Sequence, residues 1–151
     1  MTGRPIEILL VEDSPSDAQS TAEALREAKL RNKLSTIENG VHALQFLRRQ
    51  GQYANAPRPD IILLDLNLPG KDGREVLAEI KADKTLASIP VVVLTTSTGE
   101  QDMLRAQELQ VNSYINKPVE FMQFLDVLRK VSSSYRFVVT LPPFPDSGDT
   151  D

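Results

Sequence analysis

Two periodicities alternate along this chain. Short apolar runs recur at residues 6–11, 61–64, 91–94 and 114–115, and apolar residues at helical spacing fill the stretches between them. Near-continuous apolar runs of this length fit parallel strands covered on both faces. The pattern predicts strands over residues 5–11, 33–38, 60–65, 89–95 and 113–115, the second of them weak. A first helix follows strand one, with Ser14 as its N-cap and Pro15 at its first position. Its apolar face comprises Ala18, Ala22, Leu25 and Ala28. A second helix spans 41–50 with Val41, Leu44, Phe46 and Leu47 inward, after the Asn39-Gly40 turn. Residues 51–59 form a polar loop with two prolines, and Leu68-Pro69-Gly70 is a turn. Further helices cover 73–82, 99–109 and 119–131, the last presenting Phe121, Phe124, Leu125 and Leu128, and Ser132-Ser133-Ser134 stop it. Strand and helix in strict alternation predict an α/β fold: a doubly wound, five-stranded parallel sheet with helices on both faces.

This domain accounts for residues 1–132. The remainder, 133–151, is an extension of different character. Tyr135 to Phe144 is aromatic, apolar and β-prone, but its prolines confine it to an edge or extended role. Residues 146–151 are acidic and are expected to be disordered. Exposed aromatic segments seldom remain in water. The extension therefore either packs on its own domain or acts as an arm that builds a homodimer, burying Tyr135, Phe137, Leu141 and Phe144. The dimer is the favoured reading.

Composition narrows the classes. With 151 residues, 40% hydrophobic and 25% charged, the chain holds one ordinary globular domain. A net charge of -4 argues against a nucleic-acid partner. The absence of cysteine excludes disulfides, thiol catalysis and cysteine zinc sites. No early segment has the length and apolarity of a signal peptide or membrane span, so no membrane partner is expected and the cytoplasm is the default location. His42, the only histidine, falls inside a helix and is read as a surface or boundary residue. Met103 and Met122 are read as packing residues.

The candidate chemistry lies at the strand ends. Glu12 and Asp13 follow strand one, Asp65 closes strand three, Thr95-Thr96 close strand four and Lys117 follows strand five. In open α/β sheets, ligands bind beyond the carboxyl ends of the strands. Carboxylates crowded there repel one another, and a cation relieves the repulsion. An all-oxygen site with room for water suits Mg²⁺ better than zinc or calcium. Lys117 adds a mobile positive charge and Thr95 a hydroxyl. Together these supply what phosphoryl transfer needs: an aligned nucleophile, a metal, and donors for the equatorial oxygens. Any one of these residues could be a turn or a helix cap. All of them at the ends of one sheet are hard to obtain by accident.

The segments Val11-Glu12-Asp13-Ser14, Leu63-Leu64-Asp65-Leu66-Asn67-Leu68-Pro69-Gly70-Lys71-Asp72-Gly73, Val93-Leu94-Thr95 and Ile115-Asn116-Lys117-Pro118 resemble the receiver domains of two-component response regulators. The resemblance covers residues 6–131 and implies a flavodoxin-like strand order of 2-1-3-4-5. It implies that Asp65 accepts phosphate from a sensor histidine kinase. It also implies that Asp13, Asp65 and the backbone carbonyl of Asn67 bind Mg²⁺, with Glu12 acting directly or through water. Lys117 and Thr95 would contact the phosphoryl oxygens, aided by backbone N–H groups near Asn67 and Thr96. Thr95 would act as the switch, with Tyr114 as the aromatic residue that rotates behind it. The Lys117-Pro118 bond would be cis. Two departures are visible: Glu12 replaces a commoner aspartate, and Thr96 stands where a small residue is usual. The long loop over 50–59 and the Thr140-Leu141-Pro142-Pro143 tail resemble the single-domain regulators that partner bacterial phytochromes.

The resulting expectation is a stand-alone phosphoacceptor. It would be a switch rather than an enzyme, with at most self-catalysed phosphorylation and dephosphorylation, and its output would pass to a downstream protein target. Two alternatives carry the same residues: a degenerate receiver serving as a dimerising scaffold, and a Mg²⁺-dependent aspartyl phosphatase. Such phosphatases usually carry a second acid two residues after the nucleophile, where this chain has Asn67.

Overall fold

The computed structural model describes residues 5–27, 31–95, 111 and 113–135. The predicted helix over 99–109, residues Thr96, Met103 and Ala28, and the arm residues Phe137, Leu141 and Phe144 lie outside this set.

Five strands form one sheet: β1 (Ile6–Val11), β2 (Asn32–Ile37), β3 (Ile61–Asp65), β4 (Val91–Thr95) and β5 (Ser113–Asn116). All pairings are parallel, in the order β2-β1-β3-β4-β5. Four helices join them among the described residues: α1 (Pro15–Glu27), α2 (Gly40–Arg48), α3 (Gly73–Ala82) and α4 (Phe121–Tyr135).

Alternation along the buried strands separates two cores, because successive side chains leave opposite faces. Ile8 and Leu10 of β1, Ile61 and Leu63 of β3, and Val92 and Leu94 of β4 pack with Leu25 of α1 and Phe124 and Leu128 of α4. Leu9 and Val11, Ile62 and Leu64, and Val91 and Val93 pack on the other face with Leu44 and Leu47 of α2 and Leu77 and Ile80 of α3. β3 and β4 are therefore almost wholly apolar, and β1 nearly so, because both of their faces are covered.

Local chemistry fixes the helix starts. Ser14 accepts from Asp17 N–H through its hydroxyl at 3.3 Å, as an N-cap does. Asn39 caps α2 through His42 N–H at 2.8 Å. Asp72 and Glu75 form a capping box on α3.

Three helix-face expectations are corrected. Val41 is 45% exposed rather than inward. Ala43, fully buried, lies two residues and so about 200° further round the axis. In α1 the buried residues are Thr21, Ala24 and Leu25, and Ala22 is only partly covered. Met122, expected to pack, is 42% exposed. The serine run does not stop the last helix, which continues through it to Tyr135. Serine costs only about half a kcal/mol in a helix, far less than glycine or proline.

Candidate metal and phosphoryl site

The parallel register brings the carboxyl ends of β1, β3, β4 and β5 to one edge. Val11 is level with Leu64, Asp65 with Leu94, and Thr95 with Asn116. A backbone bond from Lys117 N–H to the Thr95 carbonyl, 2.9 Å, continues the ladder beyond β5. The last residues of β3 and β4 and the residues after β1 and β5 thus meet at one edge.

Lys117 occupies the centre. Its Nζ donates to Asp65 Oδ2 at 2.8 Å and to Asp17 Oδ2 at 3.1 Å. It also stands 2.7 Å from Glu12 Oε1 as an ion pair. Glu12 is 1% exposed, Asp65 5% and Thr95 1%. The other Glu12 oxygen accepts from Ser14 N–H at 3.2 Å, and Asp65 Oδ1 accepts from Asn67 N–H at 3.0 Å. The Lys117-Pro118 peptide is cis, as the resemblance implied.

The electrostatics follow from this crowding. Burial, and then the hydrogen-bonded and charged neighbour Asp65, push the Glu12 carboxyl up from 4.5 to about 7, with Lys117 pulling the other way. For Lys117 burial alone would favour the neutral amine. Hydrogen bonds to Asp65, Glu12 and Asp17 outweigh it and raise the ammonium above its ordinary range.

Glu12, Asp13 and Asp65 each bring a carboxylate oxygen within 4.8 Å of the others. Glu12 Oε1 is buried and accepts no hydrogen bond of good geometry. Its charge is met by the Lys117 ammonium, and three carboxylates crowded at one edge fit a hard divalent cation. Asp13 and Asn67 are exposed and border the same edge. Tyr114, level with Val93, is partly buried against the α2–α3 core.

The structure therefore brings together Glu12, Asp13, Asp65 and Lys117, and sets Thr95 and Asn67 beside them. Asp17 was missed from sequence. An acid in the first turn of a helix is normally explained by the helix dipole alone. Its position one turn beyond Asp13 was the only signal of its role.

The response regulator receiver domain model matches residues 8–129. Response regulator Rcp1 of Synechocystis sp. is 47% identical over 138 residues, which is 91% of this chain and 94% of that protein. The Mn(2+)-bound crystal structure of Rcp1 superposes with a TM-score of 0.71 over 92% of this chain and all of that one. The bacteriophytochrome response regulator AtBRR is 43% identical, with a TM-score of 0.81 over 86% of this chain and 94% of its own. The phosphorylated cyanobacterial phytochrome response regulator RcpA is 46% identical, with a TM-score of 0.72 over 92% of this chain and 99% of its own. The strand order, the acidic edge with its central lysine and these likenesses agree: this chain belongs to the receiver domains of response regulators.

Proposed function

We propose that Asp65 is the phosphoacceptor of a histidine-to-aspartate relay, and that its donor is a sensor histidine kinase of the bacterial phytochrome type. One observation carries the assignment. Among the described residues, Asp65 is the only carboxylate of the acidic cluster that closes a buried strand, and its Oδ2 stands 2.8 Å from the Lys117 ammonium. An Asp65 oxygen attacks the phosphorus of the donor phosphohistidine. The P–N bond breaks, its electron pair returns to the imidazole, and an aspartyl phosphate forms. Lys117 and Thr95, with backbone N–H groups at Asn67 and Thr96, bind the phosphoryl oxygens. Thr95 and Tyr114 form the switch. Kinship with phytochrome regulators by name supports the choice of kinase.

Receiver domains bind a divalent metal, and we assign it here as Mg²⁺ held by Asp13, Asp65, the Asn67 carbonyl and Glu12. When bound, the ion neutralises charge on the phosphoryl oxygens during transfer. The experiment is intact-mass spectrometry after incubation with Mg²⁺ and acetyl phosphate. One added phosphate per chain supports the acceptor. Steady release of phosphate from a phosphoester would instead indicate a phosphatase, and absence of both would indicate a scaffold.

A pH dependence follows. The Glu12 carboxyl has a raised pKa in the folded, metal-free protein, so folding takes up a proton there. Its contribution to stability is present below the unfolded value of 4.5 and is lost as pH rises through about 7. A cation must displace that proton. Mg²⁺ affinity should rise between about pH 6 and pH 8 with measurable proton release, read by calorimetry in buffers of different ionisation enthalpy. Glu12→Gln should flatten the profile, and an unaltered slope in that variant would remove Glu12 from the metal site.

The chain works as a switch in the cytoplasm, without nucleic-acid or membrane partners. Among the described residues, no helix is long and apolar enough to cross a membrane. Residues 1–132 form the receiver and 133–151 an arm that pairs two copies through Tyr135, Phe137, Leu141 and Phe144, although α4 itself crosses that boundary. Truncation after Ser132 should give a monomer by light scattering. A dimer of unchanged mass would place the interface elsewhere.

A further inference from the structure

We infer that Asp17 is a positioning residue that holds Lys117 away from the phosphoryl group and so sets how readily the site captures phosphate; the inference rests on the phosphoacceptor reading above. An ammonium has three N–H donors. Lys117 Nζ faces three carboxylates: Glu12 at 2.7 Å, Asp65 at 2.8 Å and Asp17 at 3.1 Å. To bind a phosphoryl oxygen it must release one of them.

The three are not equivalent. Glu12 and Asp65 belong to the acidic cluster and would share their charge with a bound cation, whereas Asp17 lies outside it. The Asp17 side chain is also 47% exposed, against 0% for Glu12 and 7% for Asp65. Water can solvate Asp17 once the lysine leaves far more fully than it can the other two. Asp17 is therefore the cheapest partner to release, and the one that still competes for Lys117 after the metal has bound. It comes from α1, opposite Pro118 and Val119, and lines a cleft of about 10 Å³ with Thr21 and Lys117. That is room for roughly one water at most between the two side chains.

The test measures binding of the phosphoryl mimic beryllofluoride in saturating Mg²⁺ by ¹⁹F NMR, in the full chain. Wild type, Asp17→Asn and Asp17→Glu are compared, each with and without Lys117→Ala. Asp17→Asn should bind the mimic about two- to fivefold tighter, the range of one partly exposed ion pair. Asp17→Glu, which keeps the carboxylate, should return toward wild type. On the Lys117→Ala background the effect of Asp17→Asn should vanish, because the competition it relieves no longer exists. Three results would overturn the inference. One is unchanged or weaker binding by Asp17→Asn. Another is a gain of equal size without Lys117, which marks a general charge effect. The third is a gain that Asp17→Glu shares. A wild type that takes phosphate with no response to Asp17→Asn sinks this inference alone. A wild type that takes neither phosphate nor mimic sinks the phosphoacceptor reading with it.

Discussion

Asp65→Asn should carry no phosphate under conditions that load the wild type, a loss on the order of 10³ or more in rate. An amide oxygen is a far poorer nucleophile than a carboxylate, yet the two side chains have almost the same shape. The variant should therefore fold. Lys117 keeps Glu12 and Asp17 as partners. Removing the Asp65 charge should also lower the Glu12 carboxyl from about 7. It should not return fully to 4.5, because burial is the largest cause of the shift and persists. Mass spectrometry reads the first effect, and a carboxyl-labelled NMR titration the second. A phosphate that persists on the variant would move the acceptor to Asp13 or Glu12.

Gly73→Ala should be strongly destabilising. Gly73 N–H donates to the Leu66 carbonyl at 3.0 Å, which closes the turn between Asp65 and α3. An added Cβ would lie 2.5 Å from the Asp65 carbonyl oxygen and 2.5 Å from Leu66 Cα. Both are backbone atoms, which cannot rotate away. A cost of about 3 kcal/mol follows from forcing the turn open, enough to lower Tm by roughly 10 °C. Gly51→Ala is the control. Its Cβ would meet nothing within 4 Å, and only its φ of +57° opposes the change, so about 1 kcal/mol is expected. Thermal melts of the two side by side decide it. Equal melting would show that the β3–α3 turn can shift, and with it the carboxyl end of β3.

Much of this was legible in the sequence for a physical reason. In β1, β3 and β4 both faces are buried, so the strands announce themselves as near-continuous apolar runs, and the polar residues at their ends mark the edge where the site forms. Glu12, Asp65 and Thr95 were found in this way, and Lys117 from its place just after the short run Tyr114-Ile115. Helix faces were harder to read. α2 has nine residues, and Val41 is apolar without being inward. Its neighbours Ala43, Leu44 and Leu47 suffice to fill the core. The end of α4 was misread because serine only weakly opposes a helix. Asp17 escaped because its partner is 100 residues away, and no local pattern encodes a contact at that separation.

That separation bears on how the protein comes to be made. Lys117 is 52 residues from Asp65 and 100 from Asp17 along the chain. β1, the first strand to leave the ribosome, lies inside the sheet between β2 and β3, and it pairs Ile8 with Ile61 of β3. Every parallel pairing closes a long loop, so the topology has high contact order and should fold slowly for its size. Until β5 docks, Glu12 and Asp65 have no lysine between them, and a nascent chain holds its acids without their counter-charge. The cluster residues Glu12, Asp13 and Asp65 all precede Lys117 in the chain, so a divalent cation is the counter-charge open to them until the lysine arrives.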